Sequence, residues 1–219
     1  MDSIKVIIAD DEQSVRQALR AVLEAAPGIT VVSEETSPVI AHEGVERNGP
    51  DVVLMEMRVP QGYGIKWAGH IVSRWPQTRV LLFVDPGDYP FEAIGAGASG
   101  FVRKDANPAQ IVAAIRAVMR QDAVEAPRIT ADFVRRAAPE IGLGQRADEI
   151  ESALEIFSAR ELEVLRHVTA GATNREIAVV LQLDEAAVET VVRQLLSACR
   201  LRDRMQLIIV GFGLGVLRR

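Results

Sequence analysis

The sequence predicts an α/β chain, a doubly wound sheet of five parallel strands followed by an all-α domain. Three observations carry that expectation. Five short β-branched runs alternate with amphipathic stretches over the first 120 residues, the strand signal then stops, and N-terminal helix signals follow one another through the last 65 residues.

The strand-like runs are Val6 to Ala9, Thr30 to Val32, Val52 to Met55, Val80 to Val84 and Phe101 to Val102. They are apolar throughout rather than alternating, the pattern of parallel strands covered on both faces. Between them, Val15, Leu19, Val22 and Leu23 form one apolar helix stripe, and Ile111, Ile115, Val118 and Met119 form another. Asn107-Pro108-Ala109-Gln110 opens the second of these helices, with Asn107 as N-cap, Pro108 at the first helical position and Gln110 closing a capping box. In such a sheet, ligands bind beyond the carboxyl ends of the strands. From Asp122 to Glu151 the pattern weakens, with Pro127, Pro139, Gly142 and Gly144 around one helical stretch near Thr130 to Ala138. The expected organisation is therefore 1–121, 122–154 as a helical linker, and 155–219.

Three capping boxes are expected in the last segment, at Ser158 to Glu161, Thr173 to Glu176 and Asp203 to Gln206, with Asp184 as a plain N-cap. Four short helices follow. The one after Asp184 should bury Val188, Val191, Val192, Leu195 and Leu196. That leaves Ala186, Thr190, Arg193, Gln194 and Ser197 outside, with Glu189 on the shoulder. Two helices joined by Gln182-Leu183-Asp184 make a helix-turn-helix.

Composition narrows the function classes. Of 219 residues, 48% are hydrophobic and 25% charged, which excludes a disordered or fibrous chain. The richest apolar stretch, Leu207 to Leu217, is too short to span a bilayer, and the start, MDSIKVIIADDE, lacks a basic export signal. A cytoplasmic protein is expected. Cys199 is the one cysteine, and His42, His70 and His167 are scattered singly, so no N/S metal cluster is expected. The net charge is −5. Residues 1–154 carry 16 basic against 22 acidic side chains, −6, and residues 155–219 carry 9 against 8, +1. The acidity lies in the sheet half, and the near-neutral tail is permissive for phosphate binding.

At the strand ends stand Asp10 and Asp11, Glu56, Val84 and Asp85, and Lys104. The topology brings them to one edge, where clustered carboxylates with a lysine suit a hard cation and a phosphoryl group. Gly95-Ala-Gly97-Ala-Ser-Gly100 matches a dinucleotide-loop string but precedes a strand instead of opening a helix, so that reading is rejected. Gly211, Gly213 and Gly215 lie in a helical tail, where close packing is the expected meaning.

The ordered set Asp10-Asp11, Val52 to Pro60 with Glu56, and Gly97 to Asp105 with Phe101 and Lys104 resembles the receiver domain of bacterial two-component response regulators. The tail, from Phe157 through Thr173-Asn-Arg-Glu-Ile-Ala178 to Arg204, is similar to a LuxR-type helix-turn-helix. Together they resemble a NarL/FixJ-type transcriptional regulator over nearly the whole chain. The resemblance implies that Glu56 stands where an aspartate accepts the phosphoryl group and that Val84 stands where a hydroxyl residue binds it. It also implies that Asp11 is the place for Mg²⁺. Glu56 is one methylene too long and Val84 has no donor, so a phosphorylation-independent regulator is expected, with Glu56 either imitating phosphoaspartate or marking a decayed site. A cognate histidine kinase then has no clear role, and the altered pocket admits a small-molecule effector.

In the tail the resemblance makes Arg193 the main base-reading residue, with Thr190, Gln194 and Glu189 beside it. Glu189 stands where a basic residue is usual. Asn174, Arg175, Arg202 and Arg204 are expected at phosphates. Arg200 stands where glycine is usual after the recognition helix, a left-handed position. The implied partners are double-stranded DNA and a second copy of the chain, with no membrane. The rival is a protein-interaction regulator with weak or lost specific DNA binding, and an enzyme is not expected.

Overall fold

The computed structural model describes residues 3–59, 62–86, 97–120 and 143–216. It divides into two compact units, 1–119 and 120–219. The first holds a parallel five-stranded sheet. Its strands are β1 (Ile4–Ala9), β2 (Ile29–Glu35), β3 (Val52–Glu56), β6 (Arg79–Val84) and β7 (Gly100–Arg103), in spatial order β2-β1-β3-β6-β7. The switch in strand order falls at β1 and β3, so the carboxyl ends of those two strands flank the crevice.

Every residue of β3 is buried, as are the last four of β1 and the last five of β6, which is why those runs contain almost no polar residue. The edge strand β2 has Thr30 exposed, the half-covered pattern of an edge. A two-residue antiparallel pair, β4 (Arg58–Val59) with β5 (Gly62–Tyr63), follows β3 directly. It is too short to leave a periodic signature in the sequence.

Helix α1 (Gln13–Glu24) packs on β1 and β2 and buries Leu19 and Leu23, while Val15 and Val22 of the same stripe are half-buried. Helices α2 (Pro38–Asn48) and α3 (Gly64–Arg74) pack on each other, and α2 also meets β1, β2 and β3. Helix α4 (Pro108–Arg120) buries Ile111, Ile115 and Val118, but Met119, placed in that stripe by the sequence, is exposed. The Asn107 box forms as expected: the Gln110 amide donates to Asn107 Oδ1 and the Asn107 amide to Gln110 Oε1, both at 3.0 Å. Gly64 has no room for a Cβ, which would stand 2.6 Å from the Glu56 carbonyl oxygen, so α3 starts hard against the end of β3.

The helix expected near Thr130 to Ala138 lies outside the described residues, as does Gly95 of the rejected loop string. Helix α5 (Leu143–Leu154) belongs to the second unit and is tied to it by Arg146, whose Nη2 donates to the Cys199 carbonyl at 3.1 Å. Then come α6 (Ala159–Thr169), α7 (Asn174–Leu181), α8 (Glu185–Ala198) and α9 (Arg204–Gly213). The boxes at Ser158 and Thr173 are complete. The third is half a box: Asp203 accepts from the Gln206 amide, but Gln206 Oε1 reaches the Arg202 amide instead of that of Asp203. Asp184 has extended N-cap backbone angles and makes no side-chain cap bond.

The turn after α8 is a complete Schellman motif. The Leu201 amide donates to the Leu196 carbonyl and the Arg200 amide to that of Ser197, with Arg200 left-handed at φ 51°. Gln182 holds the same conformation in the helix-turn-helix turn, at φ 52°. Gly211 lets α9 cross α6 at close range, since a Cβ there would collide with Thr169 Oγ1, while Gly213 is exposed and Gly215 faces open space. Among the described residues no helix is long and apolar enough to cross a membrane.

Two substitutions test this packing by chemical denaturation. Gly211→Ala is expected to lower the stability of the second unit by about 1–3 kcal/mol, the overpacking penalty outweighing the better helix propensity of alanine. Arg200→Gly is expected to raise it by about 0.5–1 kcal/mol, because the left-handed strain disappears.

Candidate phosphoryl-site edge and nucleic-acid interface

At the carboxyl edge of the sheet, β1, β3, β6 and β7 deliver Asp10, Glu56, Asp85 and Lys104 to one place. Glu56 is 2% exposed, and both its oxygens are engaged. Oε1 accepts the Arg58 amide at 2.6 Å, and Oε2 contacts the Lys104 ammonium. Lys104 Nζ also lies 3.7 Å from Asp85 Oδ1. Asp10 is equally buried; its Oδ1 accepts the Glu12 amide at 2.9 Å, and its Oδ2 has no hydrogen-bond partner. Val84 is fully buried and offers no donor, and Phe101 is packed inward on β7. Lys104 is fixed by its own amide, which donates to the Val84 carbonyl at 2.8 Å.

Lys104 therefore contacts buried Glu56 and half-exposed Asp85, while buried Asp10 acts on it through its charge. Burial pushes Asp10 above its ordinary value, and the Glu12 amide and Lys104 offset this only in part. Burial pushes Glu56 up as well, against the pull of the Lys104 hydrogen bond and the Arg58 amide. For Lys104, burial works downward, but the hydrogen bond to Glu56 and the charges of Glu56, Asp85 and Asp10 together leave it raised.

Asp11, the residue expected at Mg²⁺, is exposed; the Arg16 guanidinium grips its carbonyl and that of Asp10, at 3.1 and 2.8 Å. Arg16 carries no motif signal, and only the packing of α1 reveals that it fixes this turn. The orphaned Asp10 Oδ2 is an oxygen a cation could satisfy, but Glu56 is already committed on both sides. Among the described residues no group of three His, Cys, Asp or Glu side chains stands together for a metal. The donors as arranged do not fit Mg²⁺.

In the second unit, α8 buries Val188, Val192, Leu195 and Leu196, while Val191 is half-buried. Its outer face presents Ala186, Thr190, Arg193, Gln194 and Ser197, as the sequence indicates. Arg193 is held at rest, Nη2 donating to Thr190 Oγ1 at 3.4 Å and lying 3.9 Å from Glu189 Oε1. Arg175 is exposed. Two expected phosphate residues turn inward instead: Asn174 and Arg204 are each 3% exposed, with Arg204 Nη1 donating to Asn174 Oδ1 at 2.6 Å and Nη2 to the Ala172 carbonyl. Through these two bonds the buried guanidinium ties the start of α9 to the start of α7. Arg202 is half-buried. Arg160, not singled out from sequence, donates to the Leu181 carbonyl at 3.0 Å and neutralises the C-terminal end of α7.

Comparison with known proteins settles the lineage. Residues 6–116 match the response regulator receiver domain, and residues 155–210 match the bacterial regulatory proteins of the luxR family. The chain belongs to the response regulators. It is 33% identical to the transcriptional regulatory protein YxjL of Bacillus subtilis, over 99% of either chain. It is also 33% identical to the transcriptional regulatory protein LnrK of Bacillus subtilis, over 97% of this chain and 98% of that one. A solved two-component response regulator of the LuxR family from Aurantimonas sp. SI85-9A1 is 29% identical, with a TM-score of 0.55, over 64% of this chain and 99% of that one. This response regulator thus carries a receiver domain and a LuxR-type DNA-binding domain in a family of transcriptional regulators.

The buried acids set a pH dependence for the receiver. Asp10 and Glu56 have folded values above their ordinary 3.8 and 4.5. The folded state then binds more protons than the unfolded state just above that range, so stability is lost as pH rises through the raised values. Asp10→Asn removes one of these buried charges, and its thermal midpoint is expected above that of the parent at pH 7. The gap should narrow as pH falls towards 4, followed by calorimetry across that range.

Proposed function

We propose that this response regulator is a DNA-binding transcriptional regulator that works without phosphorylation, Glu56 standing in for the phosphoaspartate of its relatives. The contact between Glu56 Oε2 and the Lys104 ammonium carries this reading. The added methylene lets a carboxylate at the end of β3 meet Lys104 directly, so negative charge is supplied there covalently and permanently. Phosphoryl transfer to Glu56 is opposed twice. Both carboxylate oxygens are occupied, and Val84 provides no hydroxyl to bind an incoming phosphoryl oxygen. The kinase that serves other response regulators would have no acceptor here.

In the DNA-binding domain, α8 is the element for the major groove. Arg193 reads a guanine, with Thr190 and Gln194 beside it and Arg175 at a phosphate. Glu189 and Thr190 hold Arg193 extended along α8, and Glu189 then accepts from a cytosine amine or keeps the arginine aligned. Asn174 and Arg204 support the domain from inside and Arg202 flanks them. One such domain makes few base contacts, so the working form is a homodimer on a two-half site.

A second reading has an observation of its own. A cleft of about 350 Å³ in the second unit is lined by Leu154, Leu162, Leu165 and Leu214, with Glu151, Glu155 and Arg166 at its polar side. Its size and mixed lining suit a small-molecule effector, which would make the regulator ligand-responsive.

Acetyl phosphate is expected to leave the purified chain unlabelled, and a phosphoryl group found on Glu56 by mass spectrometry would sink the proposal. Untreated protein should select a shared motif from genomic fragments at physiological salt. Arg193→Ala should weaken binding to that motif by about 1–3 kcal/mol. Glu56→Ala should weaken it or dimerisation by about fivefold or more, with Glu56→Gln separating charge from shape; unchanged binding in both would identify a decayed site.

A further inference from the structure

The end of α5 is charged against its own dipole. A helix carries partial negative charge at its C-terminal end, where a basic side chain is favourable. The last turns of α2, α3, α4 and α6 carry Arg47, Arg74, Arg120 and Arg166, whereas α5 has no basic residue in its last turn. It has Glu151 there instead, and Glu155 follows four positions on. Both glutamates line the cleft of about 350 Å³ in the second unit. The rest of the lining is aliphatic apart from Arg166: α6 contributes Leu162 and Leu165, and the segment after α9 contributes Leu214 and Val216. Leu165 is buried, and the others are half-buried, so apolar surface is left for something else to cover.

Of the three charged groups at the cleft, one is uncompensated. Arg166 Nη1 donates to Glu163 Oε1 of its own helix at 2.5 Å, which offsets its charge. Glu151 is engaged within the chain. Glu155 is exposed, and its carboxylate has no ion pair or side-chain hydrogen bond among the described residues. We propose that this cleft binds an amphipathic organic cation, an aliphatic body ending in an ammonium group, with the head paired to Glu155 beside the end of α5 and the body on the leucines. This assignment rests on the effector reading of the cleft and narrows it to one ligand class. A carboxylate ligand would meet two glutamates and the negative end of a helix, while the nearby guanidinium is already held by Glu163. A neutral apolar ligand would place low-dielectric matter beside a carboxylate that has no partner, which raises the cost of its charge. An ammonium offsets that cost and brings three donors to the place where the chain offers only negative charge.

Octylammonium, octanol and octanoate share a body and differ only in the head, so they separate the two halves of the site. Each is titrated into untagged full-length protein by isothermal titration calorimetry at neutral pH. The expected result is saturable binding of octylammonium, about fivefold or more tighter than octanol, with octanoate the weakest. Added salt should narrow the gap between ammonium and alcohol, because exposed charges are screened. Glu155→Gln, at an exposed position, should weaken octylammonium about threefold or more and leave octanol unchanged. Leu162→Ala should weaken both; if that variant loses its fold by circular dichroism, Glu155→Gln decides alone. Glu43→Gln, an exposed acid in the other unit, should change nothing. Equal affinity for ammonium and alcohol, an unchanged octylammonium midpoint in Glu155→Gln, or an equal loss in Glu43→Gln overturns the assignment. Saturable binding of octanol or octanoate without preference for the ammonium would overturn the ligand class alone and leave the cleft as an effector site. Absence of binding by all three would remove the effector reading with it. Because neither DNA binding nor phosphorylation is the readout, the outcome is independent of the proposal for Glu56.

Discussion

The contact between Lys104 and Glu56 is the constraint on which the receiver's carboxyl edge depends. It joins the end of β3 to the residue after β7, with β6 between them, and spans half the sheet with one ion pair. A pair this buried does not stabilise merely by being present, because two charges leave water to form it. Its worth lies in what would happen without it: Glu56 would retain only the Arg58 amide and would be a buried carboxylate with no cation beside it.

The same arithmetic explains the unpartnered oxygen of Asp10. A cluster with three carboxylates and one ammonium carries excess negative charge, and burial penalises the ionised forms of Asp10 and Glu56. Where Asp10 and Glu56 are both raised, the sheet edge is under tension that protonation would relieve. Natural folds keep such tension at sites where charge is used. In this chain it sits at the carboxyl ends of β1 and β3, which flank the crevice of the sheet.

What could be read from sequence followed local rules. Apolar runs gave all five parallel strands, and Ser158, Thr173 and Asn107 formed the boxes their spacing required, because a capping box is closed within four residues. Features decided by partners distant along the chain were not legible. Gln206 serves Arg202 instead of Asp203, and Asn174 pairs with Arg204 across thirty positions, although both look like surface polar residues at helix starts. The meeting of His42 and His70, on α2 and α3 with ring centroids 5.7 Å apart, belongs to the same class. Among the candidate site residues, those placed by strand ends or by helix period (Glu56, Lys104, Arg193, Thr190) stand where the pattern put them. Those placed by motif similarity at a helix start (Asn174, Arg204) turned inward.

The two units use opposite strategies for an arginine or lysine. In the DNA-binding domain, the buried Arg204 donates to Asn174 Oδ1 and to the Ala172 carbonyl, a role inside the domain. Arg193, on the exposed face of α8, has a long bond to Thr190 Oγ1 at 3.4 Å and a 3.9 Å approach from Glu189, both weak in water and easily exchanged for a stronger acceptor. An exposed pair of that kind is worth little in free energy, yet it narrows the conformations the guanidinium samples. The side chain is thus held on the helix face with its donors still available, and less ordering remains to be done when a base edge or phosphate replaces the glutamate. In the receiver, by contrast, Lys104 is already saturated by carboxylates of its own chain. Arg193 is left exchangeable for an outside partner, and Lys104 is engaged within the fold.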